Sequence, residues 1–316
     1  MHFQRAMNRL STRSQIFALT ATLLCNVNVL RAAETPYNSS TISGLGARNI
    51  GSAAMSGRIS AIAGVRESSG KITLFVGSAS GGVWKSDDSG TRYRPIFDEQ
   101  AVQSIGAIAL DPKNSKNVWV GTGETWTRNS VSIGDGIYKS TDGGETWSRA
   151  GLEKSERIGR IAIDPRNSDT VFAAVPGALW SDSPDRGLYK TTDGGKTWQQ
   201  VLKGPNLSTG CTDVEIDPSN PDIMFAAMWD FRRKGWEYRS GGAVPTAPSA
   251  SGLFRSTDGG NTWTEITEQA NKGFPKKPYG RLAVAIAPSK SQRVYAFVES
   301  PESALFVSDD GGATWD

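Results

Sequence analysis

Short runs of alternating apolar and polar residues recur along the chain. Ala107-Ile-Ala-Leu runs into Asp111-Pro112, Arg160-Ile-Ala-Ile into Asp164-Pro165, and Asp213-Val-Glu-Ile into Asp217-Pro218. A second run follows, as in Val118-Trp-Val, Val171-Phe-Ala-Ala and Val294-Tyr-Ala-Phe. A third, Gly136-Ile-Tyr-Lys, Gly187-Leu-Tyr-Lys or Gly252-Leu-Phe-Arg, leads into a turn-forming octapeptide whose last residue opens a fourth. Alternation of β-branched and aromatic residues, punctuated by Asp-Pro and Asp-Gly-Gly, predicts short antiparallel strands. No stretch of ten or more residues carries a helical period.

The octapeptide is the strongest signal. It reads Ser140-Thr-Asp142-Gly-Gly144-Glu-Thr146-Trp147, with further copies centred on Asp193, Asp258 and Asp310 and ending in Trp198, Trp263 and Trp315. A degenerate copy, Ser86-Asp-Asp88-Ser-Gly90-Thr-Arg92-Tyr93, precedes them. The aspartates are spaced by 54, 51, 65 and 52 residues, so the unit is about fifty residues with four strands. Four-stranded units repeated radially make an all-β fold, a β-propeller, and about five blades fit residues 48–316. They either close a ring, with residues 41–52 supplying the last strand, or form an open piece of a larger propeller, the reading we prefer. In each box the aspartate accepts turn N–H groups, glycine supplies positive φ and the Trp face clamps the hairpin, so Asp88, Asp142, Asp193, Asp258, Asp310 and their tryptophans are expected to be structural. One acid per box is few for calcium, and no metal or cofactor site is expected.

Residues 1–33 hold Arg5, Arg9, Arg13 and Arg31, no acid, and the apolar run Ile16 to Leu24, which predicts a cleaved secretory signal and an extracytoplasmic protein. Residues 34–47 read as a linker or a closing strand. The whole chain carries a formal charge of +3, with 35 basic residues against 32 acids. Four of those basic residues lie in the leader, leaving 31 against 32, so attraction to nucleic acid or anionic membranes loses its support. No membrane span is expected once the leader is removed. His2, the one histidine, also falls there, which excludes Ser-His-Asp, Cys-His and histidine-ligated metal chemistry downstream. Cys211 is left alone and reads as a packing residue.

These boxes resemble the Asp-box, or BNR, repeats of bacterial sialidases, of two-propeller xyloglucan-degrading glycosidases and of sortilin-type propellers. The text from about Gly46, including Arg48-Asn-Ile-Gly51, Met55-Ser-Gly-Arg58, Gly81-Gly-Val-Trp84 and Gly121-Thr-Gly-Glu124, is similar to the amino-terminal part of large secreted bacterial sortilin-like or BNR-repeat glycosyl hydrolases. The resemblance implies a propeller; one scaffold of this kind hosts many activities.

In a four-stranded meander the Asp-Pro turns and Asp boxes share one face. The opposite face carries the second-to-third loops, with Trp126 and Arg128 in one, Asp182 and Asp185 in the next, and Trp229, Asp230, Trp236, Glu237 and Tyr238 in the longest. Aromatic rings mixed with charge suit a polysaccharide or peptide ligand. Arg58, Arg160 and Arg281 begin first strands and are candidates for an anionic ligand, with channel salt bridges to acids such as Asp213 as the alternative we prefer. Glycosidase chemistry needs two carboxylates, for which Glu124, Asp182 and Asp230 are the candidates. The reading favoured is a binding module. Its alternatives are a carboxylate-based glycoside hydrolase of xyloglucanase or sialidase type, or a fragment whose active partner domain lies downstream.

Overall fold

A computed structural model describes residues 58–241 and 248–316. The expected leader, the linker or closing strand, Arg48 to Gly51 and Met55 to Gly57 lie outside the described residues. Within them, strands and turns form five antiparallel sheets in chain order. The first contains β1 (Ile59–Arg66), β2 (Ile72–Ser78), β3 (Val83–Ser86) and β4 (Arg94–Pro95). The second contains β5 (Ile105–Asp111), β6 (Asn114–Thr122), β7 (Ile137–Ser140) and β8 (Ser148–Arg149). The third is β9 (Arg160–Ile163), β10 (Val171–Val175), β11 (Gly187–Thr191) and β12 (Gln199–Leu202). The fourth is β13 (Thr209–Ile216), β14 (Met224–Lys234), β16 (Gly252–Ser256) and β17 (Thr264–Ile266), with β15 (Glu237–Ser240) pairing on the far end of β14. The fifth has β18 (Leu282–Ile286), β19 (Val294–Val298) and β20 (Ala304–Ser308).

Each first strand packs along the next: β1 on β5, β5 on β9, β9 on β13 and β13 on β18. No comparable packing joins β18 to β1 among the described residues, so the five blades form an open arc of a propeller. The described residues contain no helix long and apolar enough to cross a membrane.

Every box does what its residues dictate. The Asp142 carboxylate accepts from the Glu145 and Thr146 amides at 3.0 Å and from the Ser140 and Thr146 hydroxyls at 2.7 and 2.5 Å. Asp193, Asp258 and Asp310 repeat this set. Asp88 lacks the last bond because Arg92 replaces the threonine. The threonine therefore belongs to the turn, and the fourth strand starts after the tryptophan. The first box glycine donates to the carbonyl of the first-to-second turn of its own blade, Gly143 to Lys116, Gly194 to Asp169 and Gly259 to Asp222, which puts boxes and turns on one face.

The boxes also join the blades. The second glycine of a box lies against an aromatic residue from the second strand of the preceding blade. A Cβ at Gly195 would approach Trp119 at 2.9 Å, and one at Gly260 would approach Phe172 at 2.6 Å, so both the left-handed φ and the contact require glycine. Lys139 and Lys190, cross-strand partners of Trp119 and Phe172, lie over those rings at 4.7 and 5.4 Å. The indoles of Trp147 and Trp198 donate to the Ile96 and Ala150 carbonyls of the preceding blade, each at 2.7 Å. The core is accordingly a series of layers between blades, such as Phe75, Ile105 and Val120, then Trp119, Ile161 and Val171, then Phe172, Val214 and Met224, then Phe225, Leu282 and Val294. Cys211 is buried in the third of these, and burial pushes its thiol pKa well up, as befits a packing residue.

Candidate functional site

The longest second-to-third connection is not a loop. Beyond Met228, β14 runs on to Lys234 and turns through Gly235 and Trp236 into β15, with Phe231 opposite Ser240 and Arg233 opposite Tyr238. This hairpin lies on the face opposite the boxes. Its root covers Leu179 with Trp229 and Phe231, whose rings stack at 4.5 Å, and Val131 of the second blade packs alongside. The Arg233 amide donates to the Leu179 carbonyl at 3.3 Å, and its Nε to Asn129 Oδ1 at 2.7 Å. Asn129 Nδ2 in turn reaches the Gly235 carbonyl at 3.3 Å. The hairpin of the fourth blade is thus pinned to the loop of the second.

That placement corrects two expectations. Trp229, expected as an open face, is 2% exposed, and its indole donates to Ser240 Oγ at 2.9 Å. Asp230, expected as an available acid, is 1% exposed and accepts from Ser208 Oγ, Asn206 Nδ2 and the Ala250 amide at 2.7, 3.0 and 3.2 Å. It ties the start of β13 to the start of the third strand. Glu124 is buried in an ion pair with Arg58, and Asp182 is exposed and paired with Arg232. Each of the three candidate acids therefore has a structural partner, and neither Glu124 nor Asp230 faces solvent.

Most of the aromatic and basic candidates are brought together. Arg58 and Arg128 both lie over the half-exposed ring of Trp126, at 5.8 and 5.5 Å. The neighbouring Thr127 lies beside the phenol of Tyr238, whose pKa is pushed up by burial. Tyr238 meets the Trp229 ring edge-on at 6.2 Å, and Arg281 sits over Trp229 at 5.2 Å. Glu299 closes the line, accepting from Ser240 Oγ and the Arg281 amide at 2.6 and 2.7 Å. Arg58, Trp126, Arg128, Tyr238 and Arg281 are thereby brought onto one surface beside the first strands, seated over the buried ring of Trp229. Trp236 stands apart at the hairpin tip, 89% exposed.

Arg160 is elsewhere. It pairs with Glu215 and, at 3.7 Å, with Asp213, the channel salt bridge expected of it. Burial pushes both carboxyls up in pKa, while Arg160 and, for Asp213, the Val284 amide at 3.1 Å pull the other way. Arg58 and Arg160 thus have separate acidic partners, while the charge of Arg281 reaches the same Asp213. Inside the loop face, Arg186 donates to the Pro176 carbonyl at 2.6 Å and lies over Phe231 at 4.6 Å. Burial, with Arg157 beside it, lowers its pKa to about 10. Sequence reasoning placed Asn129, Arg186 and Arg233 in the loops of this face without a role and missed Ser240 and Glu299, because their roles depend on contacts between blades that no local spacing encodes.

The sequence profile of Sortilin-Vps10 (sortilin, neurotensin receptor 3) matches residues 81–206. A xyloglucanase of Acetivibrio thermocellus is 27% identical over 229 residues, covering 67% of this chain and 25% of that protein. A probable oligoxyloglucan-reducing end-specific xyloglucanase of Neosartorya fischeri is 27% identical over 277 residues, covering 76% of this chain and 31% of its own. A sialidase of Bacteroides fragilis is 27% identical over 156 residues, 42% of this chain and 28% of that one. The chain thus spans about a quarter to a third of the length of these relatives. Among solved structures, an ancestral GH74 enzyme superposes with a TM-score of 0.57 at 17% identity, over 83% of this chain and 33% of that one. The GH74 enzyme of Niastella koreensis gives 0.52 at 22%, over 77% and 36%. In fold the chain is an Asp-box β-propeller, and in sequence it resembles sortilin-type proteins, xyloglucanases and a sialidase.

Proposed function

We propose that the chain is an extracytoplasmic propeller module that binds a polysaccharide on the face opposite its Asp boxes. The observation that carries this reading is the surface formed by Trp126, Arg128, Tyr238 and Arg281, extended by the bare indole of Trp236. Open aromatic faces stack on sugar rings, and arginines orient their substituents. The candidate acids support binding over cleavage, since Glu124 and Asp230 are buried with structural partners and Asp182 is tied to Arg232. The basic, apolar leader supports export, and the open arc supports association with further propeller sequence.

Purified protein is expected to bind a cell-wall polysaccharide saturably, with Trp126→Ala and Trp236→Ala each weakening binding about fivefold or more, since one stacked ring contributes of order 1 kcal/mol. Unaltered affinity in both variants would refute the assignment of this face. A second reading, a glycoside hydrolase with this chain supplying half a cleft, draws support from the 27% identity to xyloglucanases. It predicts release of reducing ends from xyloglucan.

A further inference from the structure

Arginines on the face opposite the boxes fall into two groups, and in the first Arg58, Arg232 and Arg239 pair with Glu124, Asp182 and Glu237. Among the turns and boxes, Arg94 pairs with Glu145, Arg166 with Asp164 and Asp222, and Arg293 with Asp309. On the opposite face, Arg128, Arg233 and Arg281 have no carboxylate partner within ion-pair distance among the described residues. Each instead lies over a ring: Arg128 over Trp126 at 5.5 Å, Arg233 over Tyr238 at 5.6 Å and Arg281 over Trp229 at 5.2 Å. The hairpin adds to this excess. Arg232, Arg233, Lys234 and Arg239 face one half-buried hairpin acid, Glu237, and Asp182 from the neighbouring blade. Glu299, which accepts from Ser240 Oγ and the Arg281 amide, and the buried Asp213, whose carboxyl feels the Arg281 charge, offset part of this excess without pairing with the guanidinium. A positive surface has therefore been built on a chain whose residues 34–316 hold 31 basic residues and 32 acids.

A guanidinium seated over a ring keeps N–H groups for a planar acceptor, and a carboxylate fits its fork with two parallel hydrogen bonds. Three such groups on one aromatic-lined surface match a ligand that repeats carboxylates along a chain of rings. We propose that the polysaccharide bound here is acidic, a polymer of uronic acid residues whose carboxylates are held by Arg128, Arg233 and Arg281 while Trp126 and Trp236 stack on its sugars. The proposal rests on the glycan-binding reading above and names the class of glycan.

Calorimetric titration of the purified chain with polygalacturonate, neutral xyloglucan and poly-L-glutamate tests it. Polygalacturonate is expected to bind at least tenfold more tightly than xyloglucan, with affinity falling as salt rises. Arg128→Gln and Arg281→Gln should each lower polygalacturonate affinity about tenfold, as loss of a charge-assisted hydrogen bond does, so that the preference for the acidic polymer shrinks. Equal affinity for the acidic and neutral polymers, or an unchanged preference in both variants, overturns the proposal and leaves the glycan-binding reading standing. Poly-L-glutamate binding as tightly as polygalacturonate overturns it in favour of an acidic peptide. Binding to none of the three overturns both.

Discussion

The box aspartate shows how much one side chain decides here. Its two oxygens accept two amides and two hydroxyls within the turn from Ser140 to Thr146, which holds the turn shape without help from the rest of the blade. The same bonds, led by the threonine hydroxyl and amide, hold the Asp142, Asp193 and Asp258 carboxyls far below the ordinary range and bring Asp310 to about 2. All of this was legible in the octapeptide, because the partners lie within four residues of the aspartate. The tryptophans were not equally legible. Trp229 and Trp236 occupy the same polar run, yet one is buried against Phe231 and the other is bare. Trp229→Ala is expected to destabilise the fold by about 3 kcal/mol or more, as large core truncations do, whereas Trp236→Ala should leave the urea midpoint unchanged. Equal midpoints for the two variants would contradict this division.

Among the elements, the third-to-fourth hairpins followed from sequence and the β14–β15 hairpin did not. The former are announced by glycines at positive φ. The latter is built from Arg232, Arg233, Lys234, Glu237 and Arg239, a charged run with none of the alternation that marks a half-buried strand. It forms because Phe231 and Trp229 anchor its root and because Asn129, from a blade two units earlier, grips its arm and turn. Such distant contacts are invisible to local pattern. The account predicts coupling between them. In a double-mutant cycle, Asn129→Ala and Arg233→Ala should show an interaction energy of about 1 kcal/mol in urea denaturation, as one hydrogen bond to a charged group gives. Strict additivity would mean that the hairpin stands unaided.

For the molecule as a whole, stability is carried by joints between blades, and the boxes belong to both their own hairpins and those joints. Acid should therefore act on every blade together. The five box carboxyls have folded pKa values depressed below the unfolded value, so the stability they contribute is present above about pH 4 and is lost as pH falls through their folded values, about 2 for Asp310. Asp213 and Glu215, raised by burial, act in the opposite sense, making stability fall as pH rises through their folded values. Asp111, Asp164, Asp217 and Asp309 are lowered as well, so nine carboxyls stand against two among the described residues, and the urea midpoint is expected to drop steeply between pH 4 and pH 2. A midpoint flat through that window would show that the box hydrogen bonds contribute little to the fold.

The most direct measurement for the whole account pairs binding with turnover on the intact protein. A titration against plant cell-wall polysaccharides, with reducing ends assayed in the same samples, should give saturable binding weakened by Trp126→Ala and no rise in reducing ends. Release of reducing ends by the purified protein, or the absence of any saturable binding, would contradict the assignment of the face opposite the Asp boxes as a glycan-binding surface without catalysis.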